Sequence, residues 1–265
     1  MAEQEVELPG GNINERVIRV GDTVRRGMTA ASPSVHRLLR HLESKGFTGS
    51  PRFLGTDEHG REVLTYLEGE TGILPAIWQN DPPLLAAARL LRAYHDAVAD
   101  FVQADLQPWA FHYPDPMRRE IICHNDFAPY NFIYQRGLPY AVIDFDLAGP
   151  GPRLRDIAYA VYWMVPLSFN SDDQRFFAEA DVASGSRRVG LFCAAYGTPI
   201  EPALFEMIAE VLAFLGNEEA MRQIVGDAKA MHLRRGGHLA HWQREAAAFQ
   251  MHRAQIEANL LAIGH

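Results

Sequence analysis

Residues 121–131 read IICHNDFAPYN, and residues 140–146 read YAVIDFD after a short connecting segment. The connecting residues 136–139, Arg-Gly-Leu-Pro, are typical of a turn, and each flanking segment contains an apolar run. The two segments are therefore expected to pair as an antiparallel hairpin that follows a polar loop.

The register of this hairpin decides which polar side chains meet. If the hairpin is centred on the bond 137–138, Asn131 lies opposite Asp144. Opposed residues in such a ladder have Cα atoms ~4.5–5.5 Å apart, so both side chains could bind one ion. Both carry hard oxygen ligands of the kind that Mg²⁺ prefers. Asp126, in the loop that enters the hairpin, is close enough to act on a substrate beside that metal.

A loop carboxylate combined with an Asn and an Asp at a metal suits phosphoryl transfer. The metal offsets phosphate charge, and the loop carboxylate orients an attacking hydroxyl and accepts its proton. Taken singly, the residues have simpler interpretations. His124 could be a core histidine, Asp156 a helix cap, and Asp144 with Asp146 a solvated strand end. Their order around one hairpin favours the catalytic interpretation.

The pattern His124-x-Asp126-x-x-x-x-Asn131, followed by IDFD at 143–146, resembles the aminoglycoside phosphotransferase and choline kinase family, distant relatives of protein kinases. The resemblance covers about residues 5–165 and is strongest at 121–160. It implies that Asp126 is the catalytic base and that His124 supports the catalytic loop.

The same resemblance assigns the remaining acidic positions. It implies that Asn131 and Asp144 are magnesium ligands and that Asp146 is a metal ligand or lies just behind the metal. Asp156, in the segment Asp-Ile-Ala, resembles a buried aspartate at a helix start that holds the backbone of the catalytic loop.

The wider pattern predicts an α+β chain with a two-lobed protein-kinase-like fold. Short strands and one helix fill residues 1–68, which we expect to be a small antiparallel sheet lobe that binds nucleotide. Residues 69–265 are predicted to form a larger, mainly helical lobe for catalysis and substrate binding.

Kinases hold the α- and β-phosphates with a lysine on the third strand, but this chain contains only two lysines, at 45 and 229. Strand alternation places Val24 beside adenine and Arg26 near the phosphates, with Arg25 outward, and a bulge would exchange the two arginines. Gly10, Gly11 and Asn12 occupy the place of a nucleotide loop, or form a plain turn.

The glutamate that usually pairs with the strand cation is missing from the start of the following helix. His36 is a candidate to orient the arginine instead, directly or through water, and Glu43 is a competing partner. Backbone groups of Thr65 and Leu67 are expected to hold adenine at the connection between lobes. The Arg-Arg strand and the Val-His helix start resemble a bacterial subgroup of these phosphotransferases, some labelled trifolitoxin-immunity-like.

Composition narrows the remaining possibilities. The chain has 265 residues and a formal charge of −8, which disfavours a general nucleic-acid binder. Two cysteines and the absence of a signal-like N-terminus or a long apolar run predict a cytoplasmic protein that makes no membrane contact. We expect a monomer or a homodimer.

The predicted function is transfer of the γ-phosphate of ATP or GTP, with Mg²⁺, to a hydroxyl of a small molecule. The C-terminal part is not especially acidic, which disfavours a polycationic antibiotic as acceptor. Two alternatives stay open: a kinase-like binding protein without catalysis, for immunity or sequestration, and a metal-dependent phosphohydrolase.

Overall fold

The computed structural model describes residues 4–8, 16–101, 108–170 and 182–263. Gly10, Gly11 and Asn12, the predicted nucleotide loop, lie outside the described residues.

The small lobe is a five-stranded antiparallel sheet with spatial order β1-β2-β3-β5-β4, crossed by one helix, as predicted. Its elements are β1 (Glu5–Leu8), β2 (Val17–Val20), β3 (Thr23–Arg26), α1 (Ser32–Ser44), β4 (Phe53–Thr56) and β5 (Glu62–Thr65).

Helix α1 begins at Ser32, and Pro33 fits its first turn, where no backbone donor is needed. Its buried face carries Val35, Leu38, Leu39 and Leu42 at helical spacing, and the chain turns away at Gly46, whose φ is 71°. This packing places the first turn of α1 over the sheet beside β4, where the ring of His36 stacks on Phe53.

The large lobe has a helical core with two small sheets of order β6-β8-β9 and β10-β7. Its strands are β6 (Glu70–Thr71), β7 (Ile121–Cys123), β8 (Phe132–Gln135), β9 (Leu138–Val142) and β10 (Gly149–Gly151). Its helices are α2 (Ala76–Gln79), α3 (Asp81–Ala97), α4 (Arg153–Met164), α5 (Val182–Tyr196), α6 (Pro202–Leu215), α7 (Glu218–Val225), α8 (Asp227–Arg235) and α9 (His238–Ile263).

The predicted hairpin is present as β8 and β9, but its predicted register is wrong. Arg136 and Gly137 form a two-residue turn with φ of 52° and 74°, so the hairpin is centred between these two residues. The register shifts between Ile133 and Tyr134, because β9 has one extra residue there, as in a β-bulge. Phe132 therefore pairs with Val142 rather than with Ile143.

Asn131 consequently lies just outside the ladder rather than opposite Asp144. The amide of Ile143 donates to the carbonyl of Asn131 at 2.9 Å, and Asp144 follows directly. The two predicted ligands are brought close by this single hydrogen bond beyond the ladder.

One hydrophobic core runs through both lobes, from Leu38 in α1 to Leu260 in α9. β6 pairs with β8, so residues just after the predicted boundary at 68 belong to the large lobe. The boundary itself stays a prediction. Within the described residues, no helix combines the length and the apolar character that crossing a bilayer requires.

Candidate active site

The catalytic loop brings Asp126 together with two polar side chains. Asn131 Nδ2 donates to Asp126 Oδ2 at 2.8 Å and to the Asp126 carbonyl at 3.0 Å. Tyr130 Oη donates to Asp126 Oδ1, and it lies 2.9 Å from Tyr159 Oη. Both carboxylate oxygens are therefore held in place while the residue still lines a cavity.

This environment changes the acidity of Asp126. Burial raises the pKa of its carboxyl group to about 7, although the hydrogen bonds from Tyr130 and Asn131 work in the opposite direction. A carboxylate with a pKa near neutral is suited to accept a proton during a reaction. Tyr130 carries no distinctive motif, and sequence reasoning missed its role.

Asp156 holds the loop backbone, as the resemblance implied. It is fully buried; its Oδ2 accepts from the amide of His124 at 2.7 Å, and its Oδ1 accepts from the amide of Asn125 at 2.8 Å. Burial alone would raise the pKa of Asp156, but its hydrogen bonds and nearby histidines outweigh burial, so the pKa is lowered. The largest of these opposing effects comes from His95, which donates to Oδ2 at 3.1 Å. The carboxylate thereby fixes Asn125, whose φ of 64° is left-handed, directly before Asp126.

His124 supports the loop rather than contacting a substrate. Its Nε2 is 3.1 Å from the carbonyl of Ile143, and its Nδ1 accepts from the amide of Asp126 at 3.3 Å. Burial lowers the pKa of the imidazole, which favours the neutral ring that this arrangement requires. The ring is fully buried and does not line the cavity, so His124 is a positioning residue.

Arg26 connects the small lobe to the two acidic residues that follow β9. Its Nη1 donates to Asp144 Oδ1 at 3.1 Å, and its Nη2 donates to Asp146 Oδ1 at 2.6 Å. Val24 and Arg26 both line the cavity, whereas Arg25 does not, in agreement with the predicted strand alternation. Of the two aspartates, Asp144 lines the cavity and Asp146 does not.

Glu62 is the partner that sequence reasoning missed. It lies opposite Arg26 in the β3–β5 ladder, and its Oε1 accepts from Arg26 Nε at 2.5 Å. Its Oε2 is 2.6 Å from His36 Nε2, so His36 orients the arginine through a carboxylate. The register between β3 and β5 was the signal that could have identified Glu62.

Glu43, the competing partner, does not reach this network. Its carboxylate is 3.5 Å from Arg52 on an exposed part of the surface. Glu43 lies near the C-terminal end of α1, whereas His36, which contacts Glu62, lies near its N-terminal end. The expectation of Glu43 as partner was wrong.

A cavity of about 970 Å³ contains the reactive groups and continues between the lobes into the helical region. Its small-lobe end is lined by Val24, Arg26, Leu64, Thr65 and Leu67, and its middle by Asn125, Asp126, Asn131 and Asp144. Its far end, in the helical region, begins at Arg155, next to Asn125, and is lined further by residues that include Phe111, Val211, Phe214, Lys229 and Trp242.

The two predicted adenine contacts, Thr65 and Leu67, both line the small-lobe end. The amide of Thr65 already donates to the carbonyl of Arg52 at 3.0 Å, so it is committed to the small lobe. The amide of Leu67 makes no backbone hydrogen bond with any described residue. Of these two amides, that of Leu67 is therefore the one available to a ligand.

Asn131 and Asp144 suit a hard cation by their chemistry. Both side chains line the cavity and carry oxygen atoms of the kind that Mg²⁺ prefers, and one oxygen of Asp144 accepts from Arg26. Among the described residues, no three His, Cys, Asp or Glu side chains gather as a complete metal site. A donor set of this size fits Mg²⁺, which usually keeps waters and takes further oxygens from a bound phosphate.

The fold and this cluster of side chains define the protein-kinase-like class of phosphotransferases. The chain has the fold of an amicoumacin kinase solved with AMP-PNP, Ca²⁺ and amicoumacin, with a TM-score of 0.62 and 14% identity over 92% of this chain and 87% of that one. An aminoglycoside 2'-phosphotransferase-IIIa solved with GDP gives a TM-score of 0.58 and 15% identity over 96% and 94%. A choline/ethanolamine kinase family protein from Mesorhizobium loti gives 0.51 and 16% over 94% and 92%.

Two sequence comparisons define the family more closely. The model of the phosphotransferase enzyme family APH matches residues 73–192. The trifolitoxin immunity protein of Rhizobium leguminosarum bv. trifolii is 32% identical over 197 residues, which are 73% of this chain and 74% of that protein. The chain belongs to this phosphotransferase family.

Proposed function

We propose that this protein is a kinase of small molecules, which transfers the γ-phosphate of ATP or GTP to a hydroxyl group with Asp126 as the base. The observation that carries the proposal is the position of Asp126. Its carboxylate lines the cavity, is held by Tyr130 and Asn131, and has a pKa raised to about 7 by burial.

In the proposed reaction the acceptor oxygen forms a bond to the γ-phosphorus while the bond from that phosphorus to the β–γ bridging oxygen breaks. The proton of the hydroxyl passes to Asp126, and the nucleoside diphosphate leaves with the bridging oxygen. The side chains of Tyr130 and Asn131 hold the carboxylate oriented toward the acceptor.

The small-lobe end of the cavity suits the nucleotide. Val24 and Leu64 offer apolar contacts for a base, and the Leu67 amide offers a hydrogen bond to its edge. Arg26 is the cation available to the phosphates on this side, and Glu62 with His36 holds it in place. The predicted loop at Gly10, Gly11 and Asn12 stays a prediction.

Asn131 and Asp144 would hold a Mg²⁺ ion beside the phosphates. Such an ion supplies positive charge that offsets the phosphate oxygens. Asp146 lies behind this position, where it accepts from Arg26 instead of facing the cavity. We therefore assign it to balancing the charge of Arg26.

The test is phosphate transfer by Asp126→Asn from ATP and GTP to a panel of hydroxyl compounds, with water included as an acceptor. Removing a general base lowers the rate about 10²- to 10⁴-fold, while binding of the Mg-nucleotide should persist. The matched control is Asp96→Asn, which removes an exposed carboxylate of α3. Transfer by Asp126→Asn at the wild-type rate would contradict the proposal.

A second candidate is a binding protein that sequesters a small molecule without turnover. The relative named as a trifolitoxin immunity protein favours it, because that name describes protection and states no reaction. This candidate predicts nucleotide binding in the wild type with no transfer to any acceptor and no difference between Asp126→Asn and wild type.

A further inference from the structure

The far end of the cavity contains a buried arginine with unfilled hydrogen-bonding capacity. Arg155 lies in the first turn of α4 and is 4% exposed. Its Nε donates to Asn125 Oδ1 at 3.0 Å, and its guanidinium carbon lies 4.2 Å from the ring centre of Phe111 and 4.8 Å from that of Phe214. The two terminal nitrogens have no hydrogen-bond acceptor among the described residues.

No carboxylate compensates for this charge at close range. Among the described residues, no Asp or Glu oxygen lies within 4.0 Å of the Arg155 guanidinium. The charges of Asp156 and Glu210 act on Arg155 from further away, since Asp156 accepts from the loop amides and Glu210 accepts from Tyr113 Oη at 3.0 Å. Burial accordingly lowers the pKa of Arg155, although the group stays a cation because an arginine pKa is so high.

Arg188 shows how a purely structural buried arginine looks in the same lobe. It is 5% exposed, and every one of its nitrogens has an acceptor. Its partners are the carbonyls of Ile77, Asn80, Met164 and Val165 and the carboxylate of Asp81. Arg188 does not line the cavity, whereas Arg155 does.

The charged residues that line the cavity also favour an anionic ligand at its far end. Its only described carboxylates are Asp126 and Asp144, both assigned to the phosphoryl-transfer chemistry. The far end adds Arg155, together with an apolar wall that includes Phe214 and Trp242. A polycationic acceptor would meet a buried cation there, whereas an anionic group on an apolar body would meet complementary surface.

We propose that the acceptor carries an anionic group, carboxylate or phosphate, which the terminal nitrogens of Arg155 bind at the far end of the cavity. Arginine suits this task because its planar fork binds such anions through two parallel hydrogen bonds. Phe111 and Phe214 hold the guanidinium plane, and the hydrogen bond from Nε connects it to Asn125, the residue directly before Asp126.

The inference rests on the proposed kinase function in naming this ligand as the phosphate acceptor, but the anion site can be tested without turnover. The probes are 4-(hydroxymethyl)benzoate, 4-(hydroxymethyl)benzamide and 4-(hydroxymethyl)benzylamine. They share a hydroxyl and an apolar ring and differ in charge. Their affinities are measured by calorimetry on wild type, Arg155→Met, Arg155→Lys and Arg153→Met.

Arg153→Met is the matched control. It removes the same charge from the same helical turn, at a side chain that donates to the carbonyl of His95 and does not line the cavity. Thermal unfolding and Mg-AMP-PNP binding establish that each variant is folded. The deciding quantity is the ratio between probe affinities, because general damage to the site would weaken all three probes together.

The wild type should bind the benzoate about tenfold or more tightly than the benzylamine, which is the range for a charged hydrogen-bonded pair. This ratio should persist in Arg153→Met, decrease in Arg155→Lys and fall to about one in Arg155→Met. A benzylamine that binds wild type as tightly as the benzoate would overturn the proposal. So would a preference that survives in Arg155→Met, or a benzoate that does not bind at all.

A transfer assay with the same probes separates this proposal from the kinase proposal. Arg155-dependent binding of the benzoate without transfer from ATP or GTP to any acceptor would contradict the kinase function and leave the anion site standing. Transfer that depends on Asp126 but prefers the benzylamine would support the kinase function and overturn the anion site.

Discussion

Two buried arginines line one cavity from opposite lobes, and their surroundings differ in kind. Arg26, from the small sheet, contacts the carboxylates of Glu62, Asp144 and Asp146 at 2.5 to 3.1 Å. Arg155, from the large lobe, contacts one amide oxygen and two aromatic rings.

The difference is one of contacts. Burial works to lower the pKa of both arginines, but for Arg26 the carboxylates of Asp146, Glu62 and Asp144 outweigh it and raise the pKa, whereas for Arg155 the pKa is lowered. Burial also lowers the pKa of the fully hydrogen-bonded Arg188, so the missing acceptors of Arg155 follow from its contacts and not from its pKa. Removing the partner of a buried, paired cation strongly destabilises the folded state. A buried cation without partners has an unfavourable desolvation free energy, which a bound anion can offset. We therefore assign Arg26 to both structure and nucleotide binding, and Arg155 to the ligand alone.

The largest expected effect follows from Arg26→Met. This change leaves three carboxylates together without their cation, and removal of one partner of a buried ion pair costs about 3–5 kcal/mol. Urea unfolding in EDTA, which excludes compensation by a metal, measures the loss. A variant as stable as wild type would show that the three carboxylates do not depend on Arg26. Arg19→Met, which removes an exposed pair with Glu68, is the control.

Glu62→Gln tests whether the carboxylate of Glu62 couples His36 to Arg26. Glutamine keeps the shape but loses the charge that both neighbours contact, so the free energy of unfolding should fall by about 1.5–3 kcal/mol. The double variant Glu62→Gln with His36→Gln should cost less than the sum of the single changes. Strict additivity would mean that His36 acts independently of Glu62.

His95→Gln tests the support beneath the catalytic loop through its dependence on pH. Burial lowers the pKa of His95 below its usual 6.5, so the folded form is neutral while the unfolded chain takes up a proton as the pH falls. The stability that His95 contributes is fully present above pH 6.5 and is lost at up to about 1.4 kcal/mol per pH unit below it.

The advantage of wild type over His95→Gln in unfolding free energy should therefore shrink between pH 7.5 and pH 5. Urea unfolding at several pH values measures it, and the exposed His59→Gln serves as the control. An advantage that stays constant across this range would contradict the buried, neutral state of His95.

The smallest effect is expected for Arg155→Met. Methionine keeps an apolar side chain between Phe111 and Phe214 and removes a charge that is buried without a carboxylate, so stability should stay within about 1 kcal/mol of wild type. Thermal and urea unfolding measure it. A loss comparable to that in Arg26→Met would erase the difference between the two arginines and make Arg155 a structural residue.

The sequence was most informative where chemistry is local. Asp126, Asn131 and Asp144 all line one cavity although the predicted hairpin register was wrong, because a hydrogen bond beyond the ladder joins Asn131 to Ile143, the residue before Asp144. The role of Asp156 was implied by the family resemblance, whereas its place near a helix start alone indicated a helix cap, a position that Pro152 takes in the structure.

The missed residues depend on contacts between distant parts of the chain. Glu62 meets Arg26 only through the β3–β5 register, across 36 positions of sequence. Arg155 stands next to an aspartate with a clear motif, but its own role depends on Phe111 and Phe214, which only the tertiary fold brings to it. No periodicity or short motif carries such information.

One calorimetric comparison tests most directly the claim that the cavity has a nucleotide end and an anion end. Asp144→Asn and Arg155→Met are each titrated with Mg-AMP-PNP and with 4-(hydroxymethyl)benzoate. We predict that Asp144→Asn loses nucleotide affinity and keeps benzoate affinity, and that Arg155→Met keeps nucleotide affinity and loses benzoate affinity about tenfold. Equal losses of both ligands in either variant, or no loss in either, would contradict the account.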